Sequence, residues 1–67
     1  MDWLIRLREE AGMRQIDVAR AVRITKGSYS HYECGRRIPR VDTAKKIAEV
    51  LGFDWTRFFE DKKEEAV

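Results

Sequence analysis

The stretch from residue 15 to residue 35 constrains this chain more than any other, because it holds two short helical patterns with a brief interruption between them. The first pattern places Val18, Ala19 and Val22 on one face of a helix that begins near Gln15. The pattern breaks at residues 23–25, where Thr25 is suited to cap a new helix by accepting a hydrogen bond from a free backbone N–H. The segment therefore predicts two helices joined by a tight corner.

The second helix of this pair, over residues 26–34, has two different sides. Bulky residues and one acid fall on the side of the Thr25 cap, namely Tyr29, Tyr32 and Glu33. Small or polar residues fall opposite, namely Gly27, His31 and Cys34. A helix this short is not stable alone, so its first side must pack on a core. Low bulk, hydrogen-bonding groups and a positive helix N-terminus make its outer side suitable for a DNA groove.

Residues 15–35 resemble the helix-turn-helix of the phage repressor and Cro family, which includes bacterial regulators named after the xenobiotic response element. The similarity extends over most of the chain and includes Leu4 to Gly12, Gln15, Val18-Ala19, Ile24-Thr25, Glu33 to Arg37, Pro39, Ile47 to Gly52 and Phe58-Phe59. It implies an all-α, compact five-helix lambda-repressor-like DNA-binding domain with the helix-turn-helix at helices 2 and 3. We expect this domain to cover residues 1–60 and a charged tail, residues 61–67, to fray.

The resemblance also implies a set of DNA contacts. Base contacts are expected from the outer side of the second helix of the pair, at Lys26, Gly27, Ser28, Ser30 and His31. Contacts with the DNA backbone are expected from Arg14, Gln15, Thr25, Tyr29, Arg36 and Arg37. For Tyr29 we expect the ring to lie in the core and the hydroxyl to act as the donor. Gly27 lowers helix propensity by roughly 1 kcal/mol relative to alanine, which suggests close approach of the backbone to DNA, although drift at an exposed site is the alternative.

Two residues depart from the family pattern. Arg14 stands where the family usually has a threonine that caps the second helix, so we expect an arginine exposed near the DNA backbone. Arg23 stands where the family usually has glycine in the turn. That position normally takes a positive φ, which arginine adopts only at some cost. We therefore expect a strained or slightly reshaped turn.

Charge and composition agree with this interpretation and exclude several others. The net charge is only +2, but residues 13–40 contain seven basic and two acidic residues. A basic segment of this kind suits phosphate binding, although a solvated surface is the alternative. A single cysteine excludes an internal disulfide, and no apolar run is long enough for a signal peptide or a membrane span. We expect a cytoplasmic protein.

The remaining segments are predicted to form the scaffold. Asp2 is placed to cap the first helix, and Gly12 to end it. A fourth helix follows Pro39 and ends at Gly52, and Asp54 is expected to cap a fifth. Large aromatic residues follow that cap: Trp55, Phe58 and Phe59. They either close the core of one subunit or form a dimer interface, as this region often does in relatives.

The sequence thus predicts a sequence-specific double-stranded DNA-binding regulator, specifically a repressor that binds a palindromic operator as a homodimer. The alternative is a protein-interaction module, similar to an antitoxin, that keeps the fold without DNA recognition. No catalytic constellation, metal-ligand spacing or phosphate-binding loop is present in the sequence. We therefore expect no enzyme activity, no cofactor and no small-molecule ligand.

Overall fold

The computed structural model describes residues 1–60 and contains four α-helices followed by a short 3₁₀ helix. The α-helices are α1 (Asp2–Glu10), α2 (Gln15–Val22), α3 (Lys26–Cys34) and α4 (Val41–Leu51), and the 3₁₀ helix covers Trp55–Phe59. No strand occurs within residues 1–60, so the all-α prediction is confirmed there. The predicted tail at residues 61–67 lies outside the described residues.

The predicted fifth α-helix is instead the 3₁₀ helix. Its start agrees with the prediction, because the carboxylate of Asp54 accepts a hydrogen bond from the backbone N–H of Thr56 at 3.0 Å. The segment is only five residues long and rich in aromatic residues, which have modest helix propensity. Short helical segments of this kind commonly keep the tighter 3₁₀ hydrogen-bonding pattern.

The helix ends follow from particular residues, with one correction. Asp2 was predicted to cap α1, but α1 begins at Asp2 itself and has no side-chain cap. Its carboxylate therefore lies in the first turn, where it interacts favourably with the positive end of the helix. Gly35 ends α3 in the left-handed conformation, with φ 78°. The backbone N–H groups of Gly35 and Arg36 then bond to the carbonyls of Tyr32 and His31, which is the Schellman arrangement.

Arg23 forms the same kind of helix end without a glycine. It has φ 62° and ψ 46°, and it is the one non-glycine residue in the described chain with positive φ. The backbone N–H of Ile24 reaches the Ala19 carbonyl at 2.9 Å, and that of Arg23 reaches the Arg20 carbonyl at 3.2 Å. Of the two alternatives expected at this turn, the structure shows the strained one, with Arg23 in the left-handed conformation that the family's glycine normally adopts.

A single core joins the helices. α2 packs against both α3 and α4, while α1 contacts α3 and α4 contacts the 3₁₀ helix. The predicted face of α2, Val18, Ala19 and Val22, is buried as expected. The other buried apolar residues are Leu4, Tyr29, Ala44, Ile47, Ala48, Leu51 and Phe58. Burial of α3 through Tyr29 allows this nine-residue helix to persist although it is too short to be stable alone.

An aromatic cluster closes one end of the core. The rings of Trp3, Phe53 and Phe58 meet edge to face, with centroid distances of 5.2–5.5 Å. Phe58 is only 2% exposed, so of the two alternatives predicted for it the dimer interface is wrong and the core of the subunit is correct. Trp55 and Phe59 are half-buried and form a separate edge-to-face pair at 5.9 Å.

Candidate nucleic-acid interface

The outer side of α3 presents the residues that were predicted to contact bases. Lys26 and Gly27 are exposed, and Ser28, Ser30 and His31 are each partly exposed. All five occur within residues 26–31, about one and a half turns of helix. The opposite side is fixed in the protein, because Tyr29 is fully buried and Glu33 is 3% exposed. α3 thus has one side anchored in the core and one side available to a ligand.

Thr25 caps α3 as predicted and also orients a neighbouring hydroxyl group. Its Oγ1 accepts a hydrogen bond from the backbone N–H of Ser28 at 3.0 Å. The same hydroxyl donates to Oγ of Ser28, also at 3.0 Å. The Ser28 hydroxyl therefore already accepts one bond and keeps its own hydrogen for donation to an acceptor outside the helix.

Gly27 occupies a position where the protein itself does not need glycine. Its φ is not positive, and a Cβ atom added there would meet only Thr25 Oγ1, at 4.0 Å. An alanine would therefore fit without strain and would raise helix propensity. Nothing within residues 1–60 requires glycine at this position.

The position of α3 relative to α1 and α2 is fixed by a buried polar network around the Glu33 carboxylate. Arg8 of α1 donates through Nε to Oε2 at 2.6 Å and through Nη2 to Oε1 at 3.4 Å. Gln15, the first residue of α2, donates through Nε2 to Oε1 at 2.8 Å. Arg8 also donates through Nη1 to the Met13 carbonyl at 2.9 Å, just before α2 begins. Three helices are thereby joined at one carboxylate.

The network keeps Glu33 ionised inside the protein. Burial alone raises the pKa of this carboxyl, because it disfavours the charged form. The hydrogen bonds from Arg8 and Gln15, together with the charge of Arg8, outweigh burial and leave the pKa of Glu33 below its ordinary value. The same hydrogen bond to Glu33 raises the pKa of Arg8, so both members of the pair are charged at neutral pH.

Tyr29 cannot donate to a DNA phosphate in this structure, so its predicted backbone contact is wrong. The residue is 0% exposed, and its hydroxyl oxygen is buried without a hydrogen bond of acceptable geometry to the described residues. Burial, and then the neighbouring Glu33 carboxylate, raise the pKa of the hydroxyl far above its ordinary value. Tyr29 anchors α3 through its ring.

Arg14 takes the N-cap position of α2, where its side chain cannot accept a hydrogen bond. Asp17, in the first turn, compensates by accepting the backbone N–H of Arg14 at 2.8 Å. The same carboxylate binds the guanidinium of Arg14 through Nε and Nη2, each at 3.1 Å. The expectation of an exposed arginine is confirmed, since the Arg14 side chain is 76% exposed.

Other exposed basic residues lie in the segments directly before and after α3. Arg23 is exposed in the connection before α3, and Arg36 and Arg37 are exposed in the segment after it. The described chain shows no ion pair for these three residues. Their charges are therefore available to phosphates on both sides of the helix.

The Glu33 network and the Arg14–Asp17 pair were not predicted from the sequence. A buried partner for Glu33 could have been predicted, because a carboxylate on the core side of a short helix requires a buried hydrogen-bond donor. Its spacing in sequence from Arg8 does not identify that donor, since the two residues lie on separate helices. The Asp17 contact follows from the absence of a capping side chain at Arg14.

The comparisons with known proteins place the chain in a family. A family profile described as "Helix-turn-helix" matches residues 4–58, so the chain belongs to this helix-turn-helix family of DNA-binding transcriptional regulators. The chain is also 51% identical over 59 residues to the uncharacterized HTH-type transcriptional regulator YqaF of Bacillus subtilis (strain 168), covering 88% of this chain and 78% of that protein. No solved structure matches the chain.

Two other properties bear on the type of site. Within residues 1–60, no cluster of three or more His, Cys, Asp or Glu side chains is arranged to hold a metal ion. None of the helices in this range has the length and apolar character needed to cross a membrane.

Proposed function

We propose that this protein is a sequence-specific double-stranded DNA-binding repressor in which α2 and α3 form the helix-turn-helix. The observation that carries this proposal is the two-sided character of α3: one side is buried through Tyr29 and Glu33, while the other presents small and polar residues. A helix with this outer side fits the major groove, where donors and acceptors on the base edges specify sequence. Family membership supports the same function.

Base recognition is assigned to the outer side of α3. Lys26 is exposed in the first turn and has the reach to donate to the acceptors of guanine. Ser28 and Ser30 offer hydroxyl groups, and His31 offers ring nitrogens, each from a partly exposed position. Gly27 permits the helix backbone to lie close to the groove wall.

Phosphate contacts are assigned to residues around that surface. Arg14, Thr25, Arg36 and Arg37 are all exposed. Gln15 donates one amide N–H to Glu33, which leaves its second N–H for a phosphate oxygen. These contacts supply affinity and fix the orientation of α3, whereas they carry no sequence information directly.

The protein acts as a homodimer on a palindromic operator in this proposal. Two copies of α3 would enter successive major grooves about 34 Å apart. The surface proposed for dimerisation comprises Trp55 and Phe59, which are half-buried, and Val41, which is 44% exposed. They line one apolar groove together with Thr56. Occupation of an operator by such a dimer blocks other proteins from the same DNA, which is the simplest route to repression.

The test is the effect of Lys26→Ala on binding to a selected DNA site and to variants of that site. We expect a loss of roughly 1–3 kcal/mol, with relaxed preference at one operator position in each half-site. Lys46→Ala is the matched control, because Lys46 is an exposed lysine on α4. An equal loss of affinity for every DNA sequence would show that Lys26 contacts only phosphate. An absence of DNA binding by the unmodified protein would favour the interaction-module alternative.

A further inference from the structure

Arg14 and Asp17 form a compact unit at the start of α2. The Asp17 carboxylate accepts three hydrogen bonds from Arg14: one from its backbone N–H and two from its guanidinium. Asp17 is partly buried, with a side chain 32% exposed, whereas the Arg14 side chain is 76% exposed. The acid is therefore the less exposed member of the pair and is bonded to backbone, and the arginine extends from it into solvent.

The geometry of this contact leaves half of the guanidinium available. Asp17 occupies the side edge of the group, formed by Nε and Nη2. The end edge, formed by Nη1 and the second hydrogen of Nη2, makes no hydrogen bond within residues 1–60. A planar guanidinium can bind one acid at each edge, because its five N–H groups point in fixed directions.

We propose that Asp17 is a positioning residue for DNA binding, holding the Arg14 guanidinium by its side edge so that the end edge receives a DNA phosphate. This inference rests on the proposed function, since it requires Arg14 to lie beside the DNA backbone. It assigns a favourable role in DNA binding to an acidic residue. Free arginine side chains lose substantial rotamer freedom when they bind, and a side chain that is already held loses less.

The change in DNA affinity expected for Asp17→Asn is opposite to the change expected from net charge alone. Removal of a negative charge near DNA should strengthen binding if only long-range repulsion mattered. If Asp17 positions Arg14, Asp17→Asn weakens binding by about three- to tenfold, because Arg14 must then be ordered when DNA binds. Asparagine keeps an oxygen that can accept the backbone N–H of Arg14, so the cap of α2 is retained.

The experiment is a double-mutant cycle measured by fluorescence anisotropy on a selected DNA site at fixed salt. The variants are Asp17→Asn, Arg14→Gln and the combination of both. We expect Asp17→Asn to weaken binding in the presence of Arg14 and not to weaken it further once Arg14 is glutamine. We also expect Arg14→Lys to weaken binding, because an ammonium cannot bind two acids edge by edge. Asp42→Asn is the matched control, since Asp42 is an exposed acid in the first turn of α4.

Three outcomes would overturn the inference. Tighter binding by Asp17→Asn would show that repulsion dominates, and an equal loss in the Arg14→Gln background would show that Asp17 acts without Arg14. Unchanged binding by Arg14→Gln would show that Arg14 makes no contact with a DNA phosphate. In each case the unmodified protein still binds its selected site, so the proposed function stands. Circular dichroism melts of each variant separate these effects from loss of the fold.

Discussion

Gly27 provides a prediction in which stability and DNA binding change in opposite directions. The structure shows room for a methyl group, since an added Cβ meets only Thr25 Oγ1 at 4.0 Å, and the backbone there is compatible with alanine. Gly27→Ala should therefore stabilise the protein by about 0.5–1 kcal/mol through higher helix propensity and a less flexible unfolded chain. For a domain of this size the midpoint of thermal unfolding should rise by about 2–8 °C.

The same substitution should weaken DNA binding if the α3 backbone lies against the groove at Gly27. We expect a loss of about tenfold, or about 1.4 kcal/mol, since the methyl group then separates the helix from the bases. Circular dichroism measures the unfolding midpoint, and fluorescence anisotropy measures DNA affinity for the same samples. Gly12→Ala is a useful control, because Gly12 has φ +70° and alanine there should destabilise the fold.

Two results would refute this reasoning separately. A stabilised variant with unchanged DNA affinity would mean that glycine at this position has no role in DNA approach. A destabilised variant would mean that the conformation of the first turn of α3 differs from the one described.

Four further predictions concern the scaffold that holds α3. Glu33→Gln should lower the free energy of unfolding by about 2–3 kcal/mol in urea titrations, because it leaves the Arg8 charge largely buried without its partner. The pKa of Glu33 is lowered in the folded protein, so its stabilising contribution is present above its ordinary pKa of 4.5 and is lost as pH falls through the lower folded value. In this acid range the free energy of unfolding of Glu33→Gln should therefore depend less on pH than that of the unmodified protein, as acid denaturation measures. Tyr29→Phe should change stability and DNA affinity little, because its buried hydroxyl makes no hydrogen bond of acceptable geometry within residues 1–60; a large loss in either measurement would show that its contact with the neighbouring Glu33 carboxylate is stabilising. Arg23→Gly should raise stability by about 0.5–1 kcal/mol by relieving the left-handed conformation, whereas Arg23→Ala should give no gain.

Local patterns in the sequence predicted most of the helical framework. The Thr25 and Asp54 caps and the buried face of α2 follow from residue type and helical period, whereas the unusual turn at Arg23 was expected from the family resemblance. The errors at Asp2 and in the fifth helix concern local helix geometry, whereas the errors at Tyr29 and Phe58 depend on tertiary packing. The expected DNA contact of the Tyr29 hydroxyl and the dimer-interface alternative for Phe58 both fail, because these side chains are buried in the core.

The parts of the site that the sequence did not reveal depend on contacts between separate helices. Arg8 and Glu33 meet across α1 and α3, and Gln15 joins them from α2. Helical periodicity describes one helix at a time, so it identifies Glu33 as core-facing but cannot supply its partners. This network matters for function because the side chain of Gln15 and the orientation of α3 depend on the same carboxylate.

The most direct test of the proposed function is selection of bound sequences from a random double-stranded DNA library with the purified protein at near-physiological salt. We expect one palindromic motif whose half-sites are centred about one helical turn, or ~34 Å, apart. We also expect affinity for the selected site to fall steeply as salt rises, because several arginines release counterions from phosphates. Recovery of no motif, with only weak salt-sensitive binding, would contradict sequence recognition by α3 and favour a protein partner for the surface at Trp55.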